Sequence, residues 1–202
     1  MTISSRTVAY YEASADGFWE GTKDHDVSQN IDALLGALRG QGPFRILDFG
    51  CGPGRDLVEF TRRGHIATGL DGTLRFVEMA RAHSGCEVLH QDFLALSLPS
   101  GAFDGIFANA SLFHVPSASL PKVLAELRAA LREGGVCFVS VPRGDNREGW
   151  SGERYGLYLQ EPGWRAYFEA AGFVQERHYY RPDGLPCAEQ PWLAMVYRRA
   201  AG

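Results

Sequence analysis

The segment 46–56, which reads ILDFGCGPGRD, combines alternating glycines with a carboxylate that precedes them. Glycines that follow a buried strand let the backbone turn sharply and approach a ligand closely. A dinucleotide-binding loop has the spacing G-x-G-x-x-G, but counting from Gly50 places Arg55 at the last position. The carboxylate of Asp48 attracts an ammonium group and repels a diphosphate. The segment therefore favours a ligand that carries an amine and no phosphate.

The elements around this segment alternate between strand and helix patterns. Apolar residues at helical spacing predict helices over 27–38, 55–63, 73–83, 120–131 and 164–171. Gly134 and Gly135 are expected to stop the fourth of these helices. Apolar runs predict strands over 44–50, 65–70, 86–90, 103–108, 136–141, 174–180 and 192–197. Strands that alternate with helices pair in parallel, whereas no helix separates the last two strands. We expect an α/β three-layer sandwich of about seven strands, mostly parallel, with one antiparallel strand near the edge.

The composition is that of one globular domain. The chain has 202 residues, of which 45% are hydrophobic and 22% charged, and these values exclude disorder. A net charge of −4 without a basic block disfavours nucleic acid as a partner. No apolar run approaches the roughly 20 residues that span a bilayer, and the N-terminal segment lacks the apolar core of a secretory signal. The cysteines lack zinc-binding spacing and are expected to be reduced thiols of a cytoplasmic protein: Cys51, Cys86, Cys137 and Cys187.

The segment ILDFGCGPGRD resembles the first motif of the class I S-adenosylmethionine-dependent methyltransferases of small-molecule type, and the likeness extends over about 44–141. S-adenosylmethionine carries an ammonium group, a sulfonium and no phosphate, in agreement with the chemistry of the loop. The resemblance implies this cofactor, a Rossmann-like sheet, and one methyltransferase domain over 1–202. We expect an N-terminal helical lid over 1–40, a cofactor-binding core over 44–141, and substrate-side segments with the final antiparallel strands over 142–202.

The resemblance also implies which residues contact the cofactor. Asp71 ends the second strand and corresponds to the acid that binds the ribose hydroxyls, although it could instead cap the following helix. Asp92 corresponds to the acid at the adenine amino group, and Phe93 would lie against the adenine ring. The whole expected set is Tyr11, Trp19, Asp48, Gly50, Cys51, Gly52, Pro53, Gly54, Asp71, Gly72, Asp92, Phe93, Asn109 and Ala110.

Two histidines are candidates for a general base. His114 lies in the segment 109–116, NASLFHVP, where related small-molecule methyltransferases place a short apolar loop beside the transferring methyl. It could take a proton from a hydroxyl, a thiol or a ring nitrogen, or it could pack in the loop away from the substrate. His25 is the second candidate. This segment lacks the N-P-P-[YF] form of many enzymes that methylate exocyclic nitrogens of bases, which further disfavours a nucleic-acid target.

Two further sets of residues bear on the acceptor. Asp145 and Asn146 lie roughly where catechol O-methyltransferases hold magnesium, but the aspartate required after the fourth strand is missing, so we expect a solvated turn and no metal. The arginines that could bind a substrate carboxylate, or simply be solvated, are Arg143, Arg147 and Arg154.

We therefore predict methyl transfer to an N, O or S atom of a small molecule by in-line displacement. The alternatives are a catalytically silent protein that binds the cofactor or a partner subunit, and a nucleotide-dependent oxidoreductase, which Arg55 disfavours. We expect neither a membrane nor a nucleic acid as partner, and a monomer or a homodimer.

Overall fold

The computed structural model describes residues 3–201, and a seven-stranded sheet forms its central layer. The strands are β1 Arg45–Phe49, β2 Ile66–Asp71, β3 Glu87–His90, β4 Phe103–Asn109, β5 Leu131–Pro142, β8 Phe173–Arg181 and β9 Trp192–Arg199. Their order is β3-β2-β1-β4-β5-β9-β8. Strands β1 to β5 pair in parallel, and β9 runs antiparallel to both of its neighbours. The predicted mixed sheet with one reversed strand near the edge is confirmed.

Helices cover both faces of this sheet. They are α1 Ile3–Thr22, α2 Ser28–Ala37, α3 Arg55–Arg62, α4 Leu74–Ser84, α5 Leu120–Ala130 and α6 Glu161–Ala170. Because side chains alternate along a strand, Leu47 and Phe49 face α5 and α6, whereas Ile46 faces α2 and α3. One apolar core therefore lies on each side of the sheet, and the strand before the glycine segment belongs to both.

The end of α5 differs from the expectation. Gly134 and Gly135 were predicted to stop the helix, and this was wrong: the helix ends at Ala130 and both glycines lie within β5. Leu131 already pairs with Phe103 of β4, and the regular pairing resumes only at Val136. The glycines thus form an irregularity between two paired stretches, where Gly134 has a φ of +69°.

A second, two-stranded sheet was not predicted. Strands β6 Arg147–Ser151 and β7 Arg154–Tyr158 form an antiparallel hairpin between β5 and α6. Gly149 and Gly156, opposite each other in this hairpin, lower the strand propensity of the segment. The sequence signal was therefore weak, although the hairpin contributes directly to the candidate site.

Two properties of the described residues bear on earlier expectations. Among residues 3–201, no helix is long and apolar enough to cross a membrane. Cys51, Cys86 and Cys137 are free thiols, as expected. The side chain of Cys187 lies outside the described part of the chain.

Candidate active site

The glycine segment lies where the strand order reverses, between β1 and β4, which is the usual ligand position in open α/β sheets. The N–H groups of Gly50 and Cys51 both donate to the carbonyl of Leu70, at 2.7 and 3.1 Å, and this holds the loop against β2. Gly50 has a φ of +79°, and a Cβ there would lie 2.3 Å from the Cβ of Ser111. No other residue fits at this position without a backbone shift, so glycine is required at Gly50.

The segment is also confined at its other end. Gly54 is the N-cap residue of α3, with a φ of +92°, and a Cβ there would lie 2.8 Å from the Cα of Ala80. Gly52 also has a positive φ, +51°, whereas Cys51 is buried and burial raises the pKa of its thiol well above the usual value. A close-fitting, low-polarity cradle therefore continues from the end of β1 to the start of α3.

Asp48 is buried at the end of β1, with only 2% of its surface exposed. Its Oδ2 atom is buried and has no hydrogen-bond partner among the described residues. Burial, followed by the charge of Asp56, raises the pKa of Asp48 well above its usual value, and Asp71 adds to this while Arg55 opposes it. An unpaired buried carboxylate oxygen is costly, and a ligand ammonium group is the partner that would relieve it.

Asp71 ends β2 and is buried beside the loop. Its Oδ2 accepts the N–H of Gly52 at 3.0 Å, and its Oδ1 accepts the N–H of Thr73 at 2.9 Å. Thr73, and not Asp71, occupies the N-cap position of α4. Burial raises the pKa of Asp71, while these hydrogen bonds to backbone N–H groups favour the ionised form. The ribose assignment stays a prediction, and the carboxylate also fixes the shape of the glycine loop.

Asp92 and Phe93 lie at the far end of the same crevice. Asp92 is exposed and accepts hydrogen bonds from the Ser4 hydroxyl at 2.8 Å and from the N–H of Leu94 at 2.9 Å. The rings of Phe93 and Phe49 have centroids 4.3 Å apart. The Cζ atom of Phe93 would be 3.1 Å from a Cβ at position 50. Phe93 thus lies beside the loop, and the adenine contacts of Asp92 and Phe93 stay predictions.

Helix α1 lies over the glycine loop, and we call it the roof helix. Val8 approaches Gly72, and Phe18 approaches Gly52, where the nearest side-chain atoms are 3.4 and 3.6 Å from an added Cβ. Glu12 accepts the N–H of Leu74 at 2.5 Å and so fastens α1 to the beginning of α4. The helix therefore packs against the glycine loop and α4, and the N-terminal lid over 1–40 stays a prediction.

Tyr11 of α1 meets His114 above the loop. The Tyr11 hydroxyl and His114 Nε2 are 2.9 Å apart, and His114 Nδ1 is 2.6 Å from the carbonyl of Tyr155. A carbonyl only accepts, so Nδ1 carries the proton and Nε2 accepts a hydrogen bond from Tyr11. Burial lowers the pKa of His114 to about 4, and the nearby Arg154 also lowers it. His114 is therefore a neutral imidazole at physiological pH.

The segment before His114 is held against the glycine loop. Ala110 has a φ of +60°, and its N–H donates to the carbonyl of Ser140 at 2.8 Å. The Ser111 hydroxyl donates to the carbonyl of Phe49 at 2.5 Å. A left-handed alanine is strained, and such strain is concentrated at functional sites. The carbonyls of Asn109 and Ala110 remain predicted cofactor contacts.

A hydrogen-bonded network, which the sequence did not reveal, supports the loop. The Tyr179 hydroxyl donates to Asn30 Oδ1 at 3.1 Å, and Asn30 Nδ2 donates to Asn109 Oδ1 at 3.0 Å. Asn109 Nδ2 donates to Asp56 Oδ2 at 3.3 Å, and Arg55 pairs with Asp56 at 2.7 Å. Asn30 is fully buried. The network links β8, α2, β4 and α3, so only the assembled fold brings it together.

Two predicted residues at the end of α1 lie apart from this centre. Arg55 donates to the carbonyl of Thr22 at 2.8 Å and anchors the helix end. Trp19 packs edge-on against His83 of α4, with ring centroids 4.9 Å apart. His25 is exposed in the turn that follows α1. The cofactor contact of Trp19 and the catalytic role of His25 stay predictions, and the described contacts bring neither residue to the Tyr11–His114 pair.

The remaining polar candidates surround a different cleft. Asp145 and Arg147 form an exposed ion pair at 2.9 Å, and Asn146 has a φ of +65°, which agrees with the predicted turn. Within residues 3–201, no group of His, Cys, Asp and Glu side chains could hold a metal ion. A cleft of about 670 Å³ lies here, and another of about 840 Å³ lies between α2 and β8. Neither is lined by the glycine loop, and the buried unpaired carboxylate is the stronger indication of a ligand.

Comparisons with known proteins bear on this geometry. Residues 46–135 match a family model described as a methyltransferase domain. The malonyl-[acyl-carrier protein] O-methyltransferase of Erwinia pyrifoliae is 31% identical over 119 residues, which are 58% of this chain and 45% of that protein. The trans-aconitate 2-methyltransferase of Deinococcus radiodurans is 34% identical over 111 residues, or 54% of this chain and 42% of that protein. The chain thus spans about half the length of the curated relatives it matches.

A solved structure shares the whole fold. It is the 1,6-didemethyltoxoflavin-N1-methyltransferase of Burkholderia thailandensis with bound 1,6-didemethyltoxoflavin and S-adenosylhomocysteine. The likeness has a TM-score of 0.79 at 23% identity and covers 98% of this chain and 88% of that chain. The matched domain includes the loop, Asp48, Asp71 and Asp92. Over residues 46–135 this chain is therefore similar to a methyltransferase domain, and it shares the fold of a solved methyltransferase.

Proposed function

We propose that this protein transfers a methyl group from S-adenosylmethionine to a small-molecule acceptor. The observation that carries the proposal is the unpaired, buried Oδ2 of Asp48 beneath a loop in which Gly50 admits no side chain. These residues fit the cofactor, because the unpaired carboxylate can bind its ammonium group. The glycine loop also lets the cofactor approach the backbone closely. When bound, S-adenosylmethionine supplies a methyl group that its sulfonium already activates.

We assign the residues of the crevice by their chemistry. Asp48 binds the ammonium group, and Asp71 accepts the ribose hydroxyls while it keeps its bond to Gly52. Asp92 binds the adenine amino group, and the ring of Phe93 lies against the adenine. The loop residues Gly50, Cys51, Gly52, Pro53 and Gly54, together with Gly72, Asn109 and Ala110, supply the backbone that surrounds the ligand.

The acceptor side of the site lies around Tyr11 and His114. Because methyl transfer is an in-line displacement with an activated donor, the protein mainly aligns the acceptor and excludes water. The roof helix excludes water, since Val8 and Phe18 cover the loop. The Nε2 atom of His114 is unprotonated and accepts a hydrogen bond from Tyr11. When a polar group of the methyl acceptor replaces Tyr11 as the donor, Nε2 can orient that group.

Calorimetric titration with S-adenosylmethionine, S-adenosylhomocysteine and NAD tests the proposal, combined with an acceptor screen that follows the formation of S-adenosylhomocysteine. We expect binding of the first two compounds and none of NAD. Asp71→Ala should weaken the binding of S-adenosylhomocysteine by about 1–3 kcal/mol, because it leaves the buried ribose hydroxyls without their acceptor. Unchanged affinity would remove the ribose assignment, and cofactor binding without turnover of any acceptor would favour a catalytically silent protein.

A further inference from the structure

The hairpin β6–β7 brings Arg154 to the Tyr11–His114 pair. Tyr155, the next residue, accepts the hydrogen bond of His114 through its carbonyl at 2.6 Å. The guanidinium of Arg154 lies over the ring of Tyr10, 5.5 Å from its centroid, and the nearby Tyr11 hydroxyl raises the pKa of Arg154. Arg154 is therefore at the junction of the roof helix, the hairpin and the segment that follows β4, beside the proposed acceptor position.

The charge of Arg154 has no carboxylate partner. The residue is half-buried and forms no ion pair within the described chain, whereas its hairpin neighbour Arg147 pairs with Asp145 at 2.9 Å. The groups nearest its charge include three phenols: Tyr10, Tyr11 and Tyr158. A guanidinium has five N–H donors in a planar fork. Donors therefore remain for a ligand, and an anion would compensate the partly desolvated cation.

We propose that Arg154 determines acceptor specificity by binding a carboxylate group of the methyl acceptor. The planar fork of arginine matches the two oxygens of a carboxylate, and such charge-assisted bonds are stronger than neutral ones. The aromatic rings of Tyr10, Tyr11 and Tyr158 around the guanidinium suit the organic part of the acceptor. This inference rests on the proposed function and names the substrate class of the same site.

The acid–base properties of the site agree with an anionic acceptor. His114 has a pKa of about 4, and its Nε2 already accepts a hydrogen bond from Tyr11. Burial raises the pKa of the Tyr11 hydroxyl, so it stays protonated at neutral pH. Neither group is a strong base near pH 7, whereas a carboxylate is already deprotonated there, so it reaches Arg154 as an anion without the help of a base.

Matched probes test the proposal on the complex of the protein with S-adenosylhomocysteine. The probes are benzoate, trans-cinnamate and malonate, each compared with its amide (benzamide, trans-cinnamamide and malonamide) by titration calorimetry. The variants are Arg154→Gln, Arg154→Lys and, as a control in the same hairpin, Arg147→Gln. We expect at least one carboxylate to bind the wild type at least tenfold more tightly than its amide. Arg154→Gln should abolish this preference, Arg154→Lys should retain part of it, and Arg147→Gln should leave it intact.

The outcomes separate this inference from the proposed function. Failure of S-adenosylhomocysteine to bind the wild type would overturn the proposed function and the inference with it. Normal S-adenosylhomocysteine binding by Arg154→Gln shows that the variant is folded. If every carboxylate then binds wild type and Arg154→Gln alike, or if none binds the wild type better than its amide, the carboxylate proposal is refuted and the methyltransferase proposal survives.

Discussion

Replacing Asp48 by asparagine should stabilise the ligand-free protein and weaken cofactor binding. The substitution keeps the shape of the side chain but removes a charge whose Oδ2 is buried and unpaired. Leaving such a group unsatisfied costs about 1–3 kcal/mol, so the variant should be more stable by about this amount. For a chain of this size, each kcal/mol raises Tm by about 2–4 °C. The S-adenosylhomocysteine complex should lose about 1.5–3 kcal/mol, or about 10- to 150-fold in Kd.

The pH dependence of the stability gives an independent check on Asp48. A raised pKa in the folded state means that the folded protein holds the proton more tightly than the unfolded chain. The wild type therefore loses stability as pH rises from the unfolded pKa, near 4, toward the raised folded value. Asp48→Asn lacks this loss, so its advantage in Tm should be small near pH 4 and should grow toward neutral pH.

A buried aspartate with partners provides the matched control. Asp104 is also buried, but it accepts the N–H of Arg45 at 2.7 Å and pairs with Arg132 at 2.7 Å. Asp104→Asn should therefore lower Tm and leave S-adenosylhomocysteine affinity unchanged. Thermal unfolding without ligand and titration calorimetry measure both quantities. A ligand-free Asp48→Asn protein that is less stable than wild type, or that binds S-adenosylhomocysteine normally, would refute the reasoning.

Three further substitutions test the loop and the roof. Gly50→Ala forces a Cβ against Ser111 at a positive φ. It should lower the free energy of unfolding by about 2–4 kcal/mol, measured by denaturant unfolding. It should also abolish the binding of S-adenosylhomocysteine, measured by calorimetry. His114 has a pKa lowered to about 4, so it contributes stability that is lost as pH falls from about 6.5 toward 4. His114→Gln should flatten Tm over that range, and an unchanged slope would contradict the burial of a neutral imidazole. Tyr11→Phe removes the hydrogen bond to His114 and should lower the free energy of unfolding by about 0.5–1.5 kcal/mol. Because α1 is then held less firmly, its amide hydrogens should exchange faster.

The fold could be predicted because its signals are local. The segment around Asp48 and Gly50 carries its own geometry: an apolar strand, glycines at alternate positions, and a following helix. The reversal of β9 could be predicted because no α-helix lies between Arg181 at the end of β8 and Trp192 at the start of β9. The end of α5 could not, since Gly134 and Gly135 are ordinary helix terminators, and only the pairing of Leu131 with Phe103 makes them part of a strand.

The site could be predicted only where one segment defines it. Asp71 and Asp92 could be singled out because Asp71 ends β2 and Asp92 closely follows β3, and their contacts with the cofactor stay predictions. Asn30 was missed: a buried asparagine in α2 has no local signal, and its partner Asn109 is 79 residues away. Arg154 likewise has no local signal. The sequence indicated three arginines that could bind a carboxylate and gave no reason to prefer Arg154 among them. What distinguishes it is that it forms no ion pair among residues 3–201 and that it lies near Tyr11, and both depend on the hairpin.

The way in which α1 is attached has a consequence for ligand exchange. Of this 20-residue helix only Thr7 and Ala15 are buried, and polar contacts such as the bond of Glu12 to Leu74 and the ion pair of Arg6 with Glu153 hold it down. Displacing it leaves the two cores of the sheet intact, because no residue of α1 belongs to either. Entry of a ligand to the crevice therefore requires the release of these polar contacts and of ring contacts such as that of Phe18 with Phe76.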